Sequence, residues 1–578
     1  MNIETSLPIS YTCRLLQRDD GKKEYRIFIK SDKSIGDKVP IIKIKWNFPI
    51  IDISGMWHPV CGFDRELKAD WNKGMKSMTA QSAPVISFFS ENDKNRYTIA
   101  VSETKKEVLM NCGVHEEDGT MQCVIEITLS QELLENDYEV RLLIDERDVP
   151  YYESLNEVQK WWEKECNIVP TMIPKEAKEP MYSSWYSYHQ KLKDNIIEKE
   201  CIAAKKLGFK TVIVDDGWQT DDTNRGYRFC GDWNVAESKI RDMKEHVKAV
   251  HDIGMKYMLW FSVPFVGSYS KAWEEFKDKI IAFDEEQKVG ALDIRYKEVR
   301  EYLKKIYISA VKEWDIDGLK LDFIDQFYVK RDTASVKENM DYKCIQEALD
   351  CLLSETIQAL KEINPKILIE FRQRYIGPNV KKYGNIFRVR DCPSSGITNR
   401  VGIVDLRLLS GNTAVHSDML MWNKNEDAEI CSLQVINSLF GTLQLSVKLE
   451  DMDSKQESMI RNYLGFMKEN KELLQNSVIQ PKEPQNLYPE VRVASDREEI
   501  IAVYSKNRVI QIDEEMKKST IVNGTKGNML YVKVTKQCMV KIKNTDCFGN
   551  VKEENMIMLE GIKELEWTIG GRIVIIKI

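Results

Sequence analysis

The segment Trp314-Asp-Ile-Asp-Gly-Leu-Lys320-Leu-Asp322-Phe-Ile324 decides how the rest of the chain is read. It reads as a helix end, a glycine turn and a short buried strand that delivers Asp322 at its C-terminal tip, with Lys320 two residues earlier on the same face. The same pattern recurs in Val212-Ile-Val-Asp215-Asp216-Gly-Trp218 and in Asn385-Ile-Phe-Arg388-Val-Arg390-Asp391. Successive strands that each end in acids describe a site assembled at strand tips, the arrangement of barrel enzymes.

Around that segment, from about residue 178 to 475, strand, turn and amphipathic helix alternate. Strands are predicted at Met181–Trp185, Thr211–Asp215, Tyr257–Phe261, Gly318–Phe323, Ile367–Phe371, Ile386–Asp391, Ala414–Met419 and Gly441–Ser446. Helices are predicted at Asp194–Leu207, Lys239–Asp252, Lys297–Trp314 and Val336–Ile363, while 376–384 and 396–410 read as short or irregular. Parallel pairing with right-handed crossovers follows, hence a (β/α)8 TIM barrel over 181–475. Residues 1–165 carry period-two runs such as Tyr25–Lys30, Ile41–Trp46, Tyr97–Ser102, Cys123–Thr128 and Tyr138–Ile144, and predict an N-terminal β-sandwich. A helical stretch at Ser154–Trp162 closes that domain, and a proline-marked linker covers 166–180. Short β-runs over 484–578 predict a small antiparallel C-terminal domain.

At 578 residues with 43% hydrophobic and 30% charged side chains, the chain has the composition of a multi-domain globular protein. A net charge of −7, with the two signs interspersed, gives no electrostatic footprint for nucleic acid and suits a small polar substrate. The N-terminus lacks a signal-like apolar core, and no apolar run approaches the ~18 residues of a membrane span. The 13 scattered cysteines include no Cys-x-x-Cys pair, so a zinc site or disulfide framework is not expected, and the expected location is cytoplasmic.

The strand-end census is Trp185 and Tyr186, Asp215 and Asp216, Trp260, Lys320 and Asp322, Glu370 and Arg372, Arg388 and Asp391, His416 and Asp418. Acids, a lysine and two tryptophans describe a sugar site, in which carboxylates and lysine bind hydroxyls and indole faces cover the ring. Ser-His-Asp order, zinc-ligand spacing and glycine-rich phosphate loops are missing from the sequence, so no metal or organic cofactor is expected. Asp322 and Asp391, on alternate strands, can face each other across the barrel mouth as the two carboxyl groups of a retaining glycosidase. Lys320 favours the ionised form of Asp322. Asp391 must start protonated, which predicts that at least Arg390 faces away; Asp418 is its rival for that role.

In these residues the chain resembles glycoside hydrolase family 36, the α-galactosidases of clan D. The resemblance rests on Asp215-Asp-Gly-Trp218, the Trp260-Phe-Ser-Val-Pro264 strand, the Lys320-Leu-Asp322 strand and the order of the domains. It implies Asp322 as nucleophile and Asp391 as acid/base. By the same resemblance, Asp215 and Asp216 would bind O4 and O6 of galactose, Lys320 would reach O3 and O4, and Glu370 and Arg388 would lie near O2. Trp185, Trp260 and Asp418 complete the predicted sugar contacts. The family often lends an N-terminal tryptophan to the site, for which Trp57 and Trp71 are the candidates here. Two departures stand out: Arg388 lies three rather than four residues before Asp391, and Ile369-Glu-Phe-Arg372-Gln373 replaces a cysteine- and glycine-rich strand end.

The expected activity is an exo-acting, retaining α-galactosidase on short oligosaccharides, working through a covalent glycosyl-enzyme. The alternatives are a transglycosylase, a hydrolase of α-N-acetylgalactosaminides or α-glucosides, and a non-catalytic sugar-binding protein. No membrane or nucleic-acid partner is expected, and self-association is left open.

Overall fold

Strands β1 (Met181–Ser183), β2 (Thr211–Val214), β3 (Lys256–Ser262), β4 (Gly318–Asp322), β5 (Leu368–Arg372), β6 (Ile386–Arg388), β7 (Ala414–His416) and β8 (Gln444–Leu445) form one parallel sheet in the computed structural model. Their spatial order is 7-6-5-4-3-2-1-8, and bridges from His416 to Thr442 and from Leu420 to Leu445 join the two ends into a barrel. The structure describes residues 1–6, 9–17, 21–31, 40–129, 138–372 and 376–578. Each predicted strand is present, but several stop short of their acids. Asp215 and Asp391 lie on the turns beyond β2 and β6.

The main helices between the strands are α1 (Asp194–Leu207), α2 (Met243–Ile253), α3 (Lys297–Trp314), α4 (Ile345–Ile363), α5 (Gly396–Ser410) and α6 (Ala428–Asn437), and α7 (Ser454–Glu469) follows β8. The first and third have the predicted bounds. Helix α2 begins later than predicted because Asp242 caps it, accepting from the Glu245 amide, while Lys239 is buried and donates to the Gln190 and Gly217 carbonyls. Helix α4 also starts late. Asp341 is held by Arg300 and Tyr342 lies under the same guanidinium, so the chain turns into the helix only after Cys344. The irregular reading of 396–410 is overturned: it is a helix of 15 residues, 11 of them buried, and a helix covered over most of its surface loses its polar stripe. Residues 378–382 form a 3-10 helix in place of a fifth crossover helix.

Gly318, read as a turn, instead opens β4. A Cβ there would lie 2.6 Å from the Leu368 carbonyl oxygen, so glycine is what lets β4 and β5 approach. An element missed in the sequence follows β3: a three-stranded antiparallel sheet of Phe265–Gly267, Val289–Leu292 and Ile280–Asp284, with the helix Lys271–Phe276 inserted.

The barrel interior is layered. Its floor is apolar, built from Met181, Ile213, Met258, Leu368, Ile386 and Ala414. One period-two step up each strand the lining becomes polar, with Lys320, Glu370, Arg388 and His416 all buried.

N-terminal to the barrel, two antiparallel sheets of five and six strands pack as the expected sandwich; in Thr120–Thr128 every second side chain is buried. The helix Tyr151–Glu165 leads from it to the barrel. C-terminal to the barrel lie sheets of seven and three strands. Two of their pairings, Glu498–Val503 with Lys518–Asn523 and Val509–Gln511 with Met529–Lys533, are parallel, so this domain is not wholly antiparallel. Arg65, Asp405 and Tyr488 meet where the three domains touch: Arg65 donates to both oxygens of Asp405 at 2.9 and 3.1 Å and to the Tyr488 hydroxyl at 3.0 Å.

Candidate active site

Asp322 is the last residue of β4, and the chain turns sharply after it, with Phe323 in the left-handed region at φ 64°. That turn brings the Phe323 amide onto Asp322 Oδ1 at 2.8 Å. Arg372, at the end of β5, places its Nε 2.8 Å from the same oxygen, and Trp260 of β3 donates its indole N–H to Oδ2 at 3.1 Å. Burial would raise this carboxyl, but Arg372 and then Lys320 outweigh it and hold it below its ordinary value. Asp322 is therefore a buried, ionised carboxylate.

Asp391 lies across the mouth, half-exposed, on the turn after β6. Arg388 Nη2 donates to its Oδ1 at 2.8 Å, and Arg372 Nη1 lies 3.8 Å from its Oδ2. One guanidinium, that of Arg372, thus reaches both carboxylates. Burial raises Asp391, but Arg388, Lys320 and Arg372 together hold it well below the usual carboxylate range. Arg390 is exposed, as expected, whereas Arg388 points into the barrel.

Of the remaining predicted residues, Asp215 pairs with Lys320 Nζ at 2.5 Å, both buried. Asp216 accepts from Gln190 Nε2 at 2.6 Å and Gln219 Nε2 at 2.7 Å, and burial pushes its carboxyl up to about 6 against those donors. Trp185 is half-buried, edge-on to His189 with ring centroids 4.6 Å apart. Glu370 and Asp418 are both buried and both turn to Arg388. Glu370 accepts from Gln444 Nε2 at 2.6 Å and lies 3.3 Å from Arg388 Nε; Asp418 bonds Arg388 Nη1, the Tyr186 hydroxyl and the Cys392 amide. Burial raises both carboxyls. Arg388 is thus in contact with both of these acids and with Asp391.

Of the two tryptophan candidates from the N-terminal domain, Trp57 is tied to helix α5. Trp57 is fully buried and donates to Asp405 Oδ1 at 2.9 Å, whereas Trp71 is 73% exposed. The domain touches the rim through Gln81, whose Nε2 donates 2.7 Å to the Asp325 carbonyl. Sequence reading also passed over Tyr227, stacked at 6.4 Å on Trp260, and did not select Arg372 from the strand-end census. The signal for Arg372 was its position, two residues after an inward-facing Glu370. Among the described residues no group of His, Cys, Asp and Glu is arranged to hold a metal ion. No described helix is long and apolar enough to cross a membrane.

Residues 163–372, which carry β1 to β5, match the Melibiase family model. The chain is 26% identical over 148 residues to α-galactosidase Mel36A of Lactobacillus acidophilus, covering 24% of this chain and 19% of that protein. It is 27% identical over 150 residues to the bifunctional α-galactosidase/sucrose kinase AgaSK of Mediterraneibacter gnavus, covering 25% of this chain and 16% of that one. The aligned stretches thus span under a fifth of either relative. The crystal structure of the family 36 α-galactosidase AgaA from Geobacillus stearothermophilus superposes with a TM-score of 0.67 at 12% identity, covering 99% of this chain and 81% of that one. A variant of the same enzyme in complex with raffinose superposes with a TM-score of 0.66. The melibiase model thus matches the stretch that carries β1 to β5, and the fold is that of the family 36 α-galactosidase structures along nearly all of the chain, in agreement with the resemblance carried by the strand-end motifs.

Proposed function

We propose that the protein is an exo-acting, retaining α-galactosidase on short oligosaccharides. The observation that carries this reading is the pair of acids at opposite sides of the barrel mouth, Asp322 buried and ionised and Asp391 half-exposed, both within reach of the Arg372 guanidinium. In the first step an Asp322 oxygen bonds to the anomeric carbon as the glycosidic C–O bond breaks and Asp391 gives its proton to the departing oxygen. In the second, water attacks the same carbon, its proton passes to Asp391 and the Asp322 carboxylate leaves. Asp391 is held ionised by its arginines in the unliganded site, so the acid form has to be reached as sugar hydroxyls take over some of the arginine donors and water is expelled. Asp215, Asp216 and Lys320 supply hydroxyl partners at the base of the pocket, and Trp260 and Trp185 offer ring faces at its walls. The contacts of Glu370 and Asp418 with Arg388 support orienting roles for them.

The test is release of nitrophenol from p-nitrophenyl α-galactoside, beside the α-glucoside, α-N-acetylgalactosaminide and β-galactoside. Selective α-galactoside turnover, abolished in Asp322→Ala and partly restored by azide as a β-galactosyl azide, is expected. Folded wild-type protein that binds galactose yet turns over none of the four would refute the hydrolase reading and favour a sugar-binding protein.

A further inference from the structure

Arg372 stands where the family resemblance predicts a cysteine- and glycine-rich strand end, and its placement gives it work that such residues cannot do. Its Nε lies 2.8 Å from Asp322 Oδ1, which also accepts the Phe323 amide. Its guanidinium carbon sits 4.7 Å above the Phe323 ring, and its Nη1 is 3.8 Å from Asp391. The left-handed turn at Phe323 therefore fixes both the ring that supports the guanidinium and the amide that shares its acceptor. The register of β5 on β6 sets Arg372 directly beside Arg388, so two arginines, both gripping acids, form one cationic ridge across the mouth.

We propose that Arg372 is a positioning residue that speeds hydrolysis of the glycosyl-enzyme by stabilising the Asp322 carboxylate as it departs. The inference rests on the two-carboxylate reading of the site. In the covalent intermediate one Asp322 oxygen is bonded to the anomeric carbon and the other is the ester carbonyl. When water attacks that carbon and gives its proton to Asp391, the C–O bond to Asp322 breaks and its electron pair returns to the carboxylate. A fixed cation on that group lowers the barrier of this second step. The same cation makes Asp322 a weaker nucleophile in the first step, so it shifts the balance between the two half-reactions rather than accelerating both. It acts on Asp391 as well, together with the other charged groups facing that acid: Arg388 from β6, Lys320 and Asp322 from β4, and Asp418 from beyond β7, with the Tyr186 hydroxyl held on Asp418 and the adjoining Arg390 turned out to solvent.

Arg372→Met and Arg372→Lys are compared with wild type on an aryl α-galactoside with a good leaving group. The Met variant is expected to lose kcat on the order of tenfold to a hundredfold with KM falling in step, so that kcat/KM changes little. Glycosyl-enzyme should accumulate in its intact-mass spectrum, azide should restore turnover, and the Lys variant should recover part of kcat. Removing a cation beside two acids raises both, so the acid and alkaline limbs of the kcat/KM profile should both move to higher pH. An active wild type whose Met variant loses kcat/KM with unmoved limbs and no trapped intermediate overturns this inference alone. A wild type inert on every α-glycoside removes the functional reading and this inference with it.

Discussion

Replacing Asp405 by alanine tests whether the three domains are locked through one buried charge. Asp405 lies on α5 and is wholly buried. It accepts from Arg65 and Trp57 of the N-terminal domain and from the Tyr488 hydroxyl at 2.7 Å. Arg65 also reaches the Cys61 sulfur, but a thiol cannot neutralise it. Alanine leaves a buried guanidinium without its counter-charge, which costs ~3–5 kcal/mol. It also strips acceptors from Trp57 and Tyr488, at ~1–3 kcal/mol for each donor left unsatisfied. Water reaching the vacated space reduces the sum, so a loss of about 4 kcal/mol is the working figure. In calorimetry Asp405→Ala should show an early transition split from the main one, because the domains uncouple before the barrel melts. Arg65→Met combined with Asp405→Leu should regain the part due to the orphaned guanidinium, while the Trp57 and Tyr488 donors stay unsatisfied. An Asp405→Ala protein within about 1 kcal/mol of wild type and melting in one unchanged transition would refute the argument.

Trp260→Phe removes the donor on Asp322 Oδ2 while keeping an aromatic wall. Its kcat/KM should fall about tenfold to a hundredfold, the loss of one hydrogen bond to a charged group, as read by steady-state kinetics. His416 is buried and its imidazole is lowered to about 4, first by burial; Nε2 donates 2.6 Å to the Ala177 carbonyl and Nδ1 faces Gln444 Nε2 at 3.0 Å, leaving no acceptor for a second proton. The unfolded chain therefore binds this proton first. The stability it contributes is complete above pH ~6.5 and lost as pH falls toward ~4, by roughly 3 kcal/mol. Thermal melts across that window should be flatter for His416→Gln than for wild type; parallel curves would contradict the assignment.

Much of the architecture was legible because its signals are local. Helices Asp194–Leu207 and Lys297–Trp314 show one apolar face to a sheet, and their ends follow from the residues themselves, so both bounds were found. The short strands Phe265–Gly267 and Val289–Leu292 were missed because three or four apolar residues carry no measurable period. Helix Gly396–Ser410 was misread because protein covers most of its surface, from Asn399 onward all but Arg407 being buried. In the candidate site, the acids at strand tips were legible as a repeated pattern. Which arginine touches which acid was not: Arg372 and Arg388 are 16 residues apart and become neighbours only through strand register. Asp418 and Glu370 read as sugar ligands in the sequence, and their ion pairs with Arg388 were not legible there because they join three different strand ends.

The polar layer above the apolar floor also bears on how such a site can change. Arg388 is shared by acids from three different strand ends, and Lys320 is shared between Asp215 and the field around Asp322. A mutation at any of these positions orphans a partner on another strand, so each step must be matched by a second one, and selection finds few single-step routes through it. Trp185, His189 and Arg225 stand on the rim, where Arg225 bonds His189 at 2.9 Å and His189 meets the Trp185 ring. Substitutions there disturb one loop at a time. Libraries aimed at a new leaving group should diversify that rim and leave the charged layer beneath it intact.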